Sequence, residues 1–147
     1  MVNILVVCVG NICRSPVAAA LLQRALPDHR VASAGLGALS DHDIDATARQ
    51  VAEARGIALP RHRARQFTTD IGAEHDLILV LEAGHKRAVA QTAPALSGRT
   101  FVLAHWTGQH DIPDPYQRNE AFHETVLTQM TEAVAAWAKR LSPPETR

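Results

Sequence analysis

The sequence predicts an α/β fold, an open parallel sheet with helices on both faces, and three observations predict it. Short apolar runs without alternation recur along the chain, strongest at residues 3–7 (NILVV) and 77–81 (LILVL). A strand with no polar face is one covered on both sides. Segments of helical spacing separate these runs, and strands alternating with helices argue for parallel pairing. The 147 residues, 46% hydrophobic and 20% charged, also suit one domain large enough for a full core.

The elements follow in order. Residues 3–7 form the first strand, and a loop then leads to Ser15-Pro16, which fits an N-cap followed by proline in the first helical position. Val17, Leu21, Leu22 and Ala25 supply the apolar face of that helix, and Pro27 closes it. Residues 31–33 are a second strand entering a glycine-punctuated turn, Ala34-Gly35-Leu36-Gly37. Residues 46–55 are helical, with Gly56 as the C-cap. After the strand at 77–81 come a helix over 85–92, stopped near Pro94, and a strand over 100–103. Phe122, Val126, Met130, Val134, Trp137 and Leu141 recur at helical steps and define the last helix. The expected organisation is a single domain over residues 1–141 and a flexible tail over 142–147 (SPPETR).

Fifteen basic residues balance fifteen acidic ones, so no global field draws the chain to nucleic acid or to an anionic membrane. Basic character is local, at Arg61, Arg63 and Arg65. Residues 1–7 are too short for a signal peptide or a membrane span, and the expectation is a cytoplasmic protein with no membrane insertion. Two cysteines, Cys8 and Cys13, are too few for a disulfide framework, and a reducing compartment keeps them as thiols.

Cys8 stands at the carboxyl end of the first strand, where open α/β sheets bind ligands. A buried cysteine is commonly just a small hydrophobe, but here a loop containing Gly10 and a helix start follow at once. Converging loop amides and a helix N-terminus make an anion site, and the same positive field favours thiolate over thiol. Arg14 closes the loop with a planar fork suited to two phosphate oxygens. The combination points to phosphoryl transfer onto sulfur. Zinc is disfavoured, because Cys-x4-Cys is not a zinc spacing and no His pair completes a ligand set.

Expelling an alkoxide or phenoxide from phosphorus requires an acid. The stretch DIPDPYQ (residues 111–117) offers Asp114 between two prolines, Pro113 and Pro115, with Asp111 as its rival and Tyr116 placed to stack on an aromatic substrate. His123 falls inside the last helix and is the weaker candidate.

CVGNICRSP (8–16) near one end and DPY (114–116) near the other, with SAG (33–35), HRARQ (62–66) and DLILVLE (76–82) between them, resemble the low-molecular-weight protein tyrosine phosphatases. SAGLGAL (33–39) and DIPDPYQ resemble the bacterial branch associated with exopolysaccharide export. The resemblance implies a four-stranded parallel sheet of the Rossmann-like phosphotyrosine protein phosphatase I type, with no metal and no organic cofactor. It implies a phosphate-binding loop of Val9, Gly10, Asn11, Ile12, Cys13, Arg14 and Ser15. Cys8 would be the nucleophile that becomes a phosphocysteine, Arg14 the transition-state clamp, and Asp114 the acid and then the base. Asn11 would brace the loop, Ser15 would donate to the Cys8 sulfur, and His62 would support the loop from behind. Cys13 matches a second loop cysteine that traps an oxidised nucleophile as a disulfide, which suits an exposed low-pKa thiolate with a neighbour able to resolve it. The implied partner is a phosphotyrosine protein, a bacterial tyrosine kinase controlling polysaccharide production, with the phosphatase a monomer or weak homodimer.

Leu39 stands where many relatives carry an aromatic pocket wall, which leaves Tyr116 as the aromatic wall. Residues 40–48 lack the glycine and proline often found there. Two alternatives share the loop. An arsenate reductase would need a further cysteine downstream, and none follows Cys13. A non-catalytic oxyanion-binding or redox-sensing module would have no use for the acid at Asp114.

Overall fold

The computed structural model describes residues 1–142; most of the segment expected as a tail, residues 143–147, lies outside the described residues. Four parallel strands, β1 (Asn3–Cys8), β2 (Arg30–Gly35), β3 (Leu77–Val80) and β4 (Thr100–Val102), form a sheet in the order β2-β1-β3-β4. The helices are α1 (Arg14–Ala25), α2 (Ala46–Ala54), α3 (Thr69–Ala73), α4 (Ala83–Thr92) and α5 (Glu120–Leu141), with short 3-10 turns at Pro94–Arg99 and Leu103–Trp106.

Strand alternation divides the core. Ile4, Val6 and Cys8 of β1 and Leu77 and Leu79 of β3 face α1, α2 and α5. Leu5 and Val7, with Ile78 and Val80, face α3 and α4. Residues 4–7 are wholly buried, each contributing about 1.5–3 kcal/mol on leaving water. The runs lack a polar face because both faces are covered.

From β1 the chain crosses to β2 on one side, and β3 lies on the other. The carboxyl ends of β1 and β3 therefore open into a crevice at the topological switch point. Cys8 ends β1 there, and Glu82 follows β3 there.

Several boundaries differ from the sequence reading for identifiable reasons. The helix expected to be capped by Ser15 begins at Arg14, with Cys13 in the N-cap position and no side-chain cap; the Ser15 hydroxyl is engaged elsewhere. α5 starts earlier than its apolar stripe because Asn119 Oδ1 accepts from Phe122 N at 2.9 Å. α3 leaves no mark in the sequence pattern, since its five residues are too few to show a period. Gly56 has φ 77° after α2, the left-handed conformation that a glycine C-cap supplies.

Candidate active site

The loop from Cys8 to Arg14 is held by its carbonyls. Cys8 O accepts from Leu36 N, Val9 O from Gly37 N, Gly10 O from Leu39 N and Ile12 O from Asp45 N, at 2.8–3.0 Å. Asn11 O accepts from His62 Nε2 at 2.6 Å, which fixes the proton of that imidazole on Nε2. Five successive carbonyls are thus tied to surrounding segments. The amides of Gly10, Asn11, Ile12 and Cys13 donate to no acceptor among the described residues. Such a loop presents N–H groups to an anion, and the uncapped first turn of α1 adds its own.

Gly35 lets the loop lie this close. A Cβ there would sit 2.3 Å from Val9 O, and Gly35 N and O are themselves bonded to Arg65 O and Phe67 N.

Asn11 is the hub. It is fully buried with φ 59°, a left-handed conformation that asparagine tolerates better than most residues. Its Nδ2 donates to Ser15 Oγ at 2.8 Å and to Ser33 Oγ at 2.9 Å, and its Oδ1 accepts from Arg65 N at 2.9 Å. Because Ser15 Oγ already accepts from Asn11, its own proton is free to point at Cys8 Sγ, 2.8 Å away. Against a thiolate at Cys8 the hydroxyl is the only possible donor of this pair.

Arg14 is 2% exposed. Its Nη1 donates to Glu82 Oε2 at 2.5 Å and to Ile112 O at 2.7 Å, and its Nη2 lies 3.9 Å from Asp114 Oδ2. Asp114 is half exposed, and its Oδ1 accepts from Tyr116 N at 3.0 Å, so the Asx turn directs Oδ2 towards Arg14. The rival acid Asp111 is engaged elsewhere, its Oδ1 accepting from Ala83 N at the start of α4. His123 is buried in α5, 4.0 Å from Asp45 Oδ2.

Cys8, Val9, Gly10, Ile12, Cys13, Arg14, Gly37, Leu39, Asp114 and Tyr116 enclose a cavity of about 190 Å³. Leu39 and Tyr116 stand half-exposed at its lip, where the sequence reading put the pocket walls. Residues 40–48 manage without glycine by giving Asp41 φ 69° and using Asp45 to cap α2, its Oδ2 accepting from Ala48 N. Both cysteines are free and buried. Burial, reinforced by the Asp45 and Asp114 carboxylates and the neighbouring Cys8, pushes the Cys13 thiol far up, against a smaller opposing pull from Arg14. No cluster of three His, Cys, Asp or Glu side chains able to hold a metal exists among the described residues.

SAG and DLILVLE carry no local mark of what Ser33, Gly35 and Glu82 do at the site, and His85 does not stand out among the eight histidines of the chain. The usable signal was position, because Ser33 and Gly35 end one strand and Glu82 follows another at the switch point. Buried His85 lies with Nε2 3.5 Å from Glu82 Oε2. Burial and then Arg14 lower its pKa, against the opposing Glu82, Asp111 and Asp114 carboxylates.

The model of the low molecular weight phosphotyrosine protein phosphatases matches residues 3–145. The chain belongs to that family. Its relatives include the Escherichia coli low molecular weight protein-tyrosine-phosphatase Etp, 43% identical over 140 residues and 95% of each chain. Among solved structures, the tyrosine phosphatase Wzb of Escherichia coli in complex with sulphate superposes with TM-score 0.94 at 40% identity, over 97% of this chain and all of that one. Vibrio vulnificus Wzb in complex with benzylphosphonate gives TM-score 0.93 at 43% identity, over 95% and 98%. The four-stranded sheet expected from the resemblance is the sheet observed here. No helix of the described residues of this family member is long and apolar enough to cross a membrane.

Proposed function

We propose that the chain hydrolyses phosphotyrosine in proteins through a phosphocysteine. The observation that carries this reading is the loop whose five successive carbonyls, Cys8 to Ile12, are tied outward, with Arg14 and Asp114 at the same cavity. In the first step the Cys8 sulfur attacks phosphorus, an S–P bond forms, and the P–O bond to the tyrosine breaks. Asp114 passes its proton to the departing phenolate oxygen. In the second step Asp114, now a carboxylate, takes a proton from water as that water attacks phosphorus, and the S–P bond breaks to release phosphate. Ser15 donates to the sulfur as a leaving thiolate, and His62 and Asn11 hold the loop so that no reorganisation is needed. Arg14 supplies a fork for the equatorial oxygens.

The apolar lip supports an aryl substrate. Val9, Leu39 and Tyr116 are 38–43% exposed around the mouth and would lie along an aromatic ring whose phosphate reaches the floor, which a phosphoserine is too short to do. The resemblance to the exopolysaccharide branch supports a tyrosine-phosphorylated kinase of polysaccharide production as the partner. Where an oxidant such as peroxide converts Cys8 to a sulfenic acid, the Cys13 sulfur attacks it to form the Cys8–Cys13 disulfide with loss of water, and the raised Cys13 pKa slows that attack.

The test is phosphate release from phosphotyrosine and phosphoserine peptides, with reductant and without added metal, by wild type, Cys8→Ser and Asp114→Asn. Wild type is expected to act on phosphotyrosine alone, Cys8→Ser to be dead, and Asp114→Asn to be slowed by about 10²–10⁴. Turnover by Cys8→Ser at the wild-type rate would refute the cysteine mechanism.

A further inference from the structure

Arg14 is almost completely removed from water, so its donors are directed by the acceptors packed beside it. Two carboxylates are within reach, Glu82 Oε2 at 2.5 Å and Asp114 Oδ2 at 3.9 Å. In the proposed reaction Asp114 must carry a proton into the first step and then lose it, so it cannot also be the fixed acceptor that directs Arg14. Glu82 is the partner that remains.

The contacts also fix direction. Nη1 donates twice, to Glu82 and to Ile112 O. Ile112 is itself anchored by its N–H to Leu81 O at 2.9 Å, so both acceptors are set by the chain leaving β3. A planar guanidinium held at one nitrogen by two fixed acceptors cannot turn about its Cδ–Nε bond without losing both. The remaining donors are Nε, which is buried with no partner among the described residues, and Nη2, which faces Asp114. These two nitrogens form the side edge of the fork, which donates in parallel to two oxygens of one phosphoryl group.

We infer that Glu82 is a positioning residue of the reaction, holding Nη1 of Arg14 so that the Nε–Nη2 edge is aimed at the phosphoryl group before substrate arrives. The inference rests on the proposed phosphoryl transfer. Glu82 touches no reacting atom; it acts through Arg14, and His85 stands behind it with Nε2 3.5 Å from the same oxygen.

Glu82→Ala, Glu82→Gln and Glu82→Asp separate held geometry from charge. Glutamine keeps an acceptor oxygen at the same reach without the charge, whereas aspartate keeps the charge but withdraws it by one methylene. Steady-state turnover of a phosphotyrosine peptide and the affinity for orthovanadate, a trigonal-bipyramidal mimic of the transition state, are read for each variant, with melting temperature as the control for folding. Glu82→Ala is expected to lose about 10- to 100-fold in kcat with KM within about threefold of wild type, and to lose vanadate affinity by the same factor. Glu82→Gln is expected to return most of both losses, and Glu82→Asp to fall between Gln and Ala. Wild-type kcat in Glu82→Ala, or Gln as slow as Ala with Asp restored, overturns the inference. If Glu82→Ala does not fold, the order of Gln and Asp decides alone: Gln faster supports positioning, and Asp faster refutes it. If wild type releases no phosphate, the phosphotyrosine reading fails, while the vanadate affinities still decide whether Glu82 aims Arg14.

Discussion

Asn11→Ala would test the loop at its hub. The substitution removes three side-chain hydrogen bonds at a fully buried position. Each is worth about 1 kcal/mol net, rising to about 1–3 kcal/mol where the partner stays buried and unpaired. The Ser15 and Ser33 oxygens each lose a donor, whereas the Arg65 amide loses its acceptor and is fixed by its backbone. Alanine must also adopt φ 59°, at roughly 1–2 kcal/mol. The expected destabilisation is about 3–5 kcal/mol, a large part of the roughly 5–15 kcal/mol that holds a domain together. Urea unfolding followed by circular dichroism measures it directly, and the melting temperature should fall by roughly 10–16 °C. Asn11→Asp is the informative companion. Its carboxylate can still accept from Arg65 N and from both serines, but Ser15 then spends its proton on residue 11 and not on the sulfur. Its turnover should fall out of proportion to its stability. An Asn11→Ala protein within about 0.5 kcal/mol of wild type, with normal turnover, would refute the bracing argument.

Other outcomes follow from single contacts. Gly35→Ala would place a Cβ 2.3 Å from Val9 O, so the loop must shift; turnover should fall about 10²-fold, and a fully active variant would show that the loop is not held where the structure places it. Cys13 is kept as a thiol by burial and its acidic neighbours, so at neutral pH iodoacetamide should leave it unmodified in the folded protein and alkylate it in urea. Tandem mass spectrometry of the loop peptide distinguishes it from Cys8, and equal labelling in both states would contradict its burial. His85 is neutral in the fold because burial and Arg14 lower its pKa. The unfolded chain therefore binds its proton first, and stability contributed by neutral His85 is lost as pH falls below the ordinary histidine value of about 6.5. His85→Asn should flatten that part of the pH–stability curve, and an unchanged slope would assign it to another group.

Much of the fold was legible because its signals are local. The strands at 3–7 and 77–81 show in composition, α5 in its spacing of Phe122 to Leu141, and the end of α2 in Gly56. The misread start of α1 has the same origin. Ser15-Pro16 satisfies a local capping rule, but the loop folds back on itself, and the contacts of Ser15 with Cys8 and Asn11 override that rule. α3 is too short for any period to be read.

By itself, the sequence determined the alternation of strands and helices, the Cys8–Ser15 loop at the end of a buried strand, and a proline-stiffened acid loop near the other end. Those follow from residue type and spacing within a few turns of chain. The tertiary structure decided which groups meet. Asn11 reaches Ser33 and Arg65 across 22 and 54 residues, and Arg14 reaches Glu82 across 68. Such pairs depend on strand order and register, which are set by the burial of both sheet faces at once and leave no mark on the spacing of any one segment.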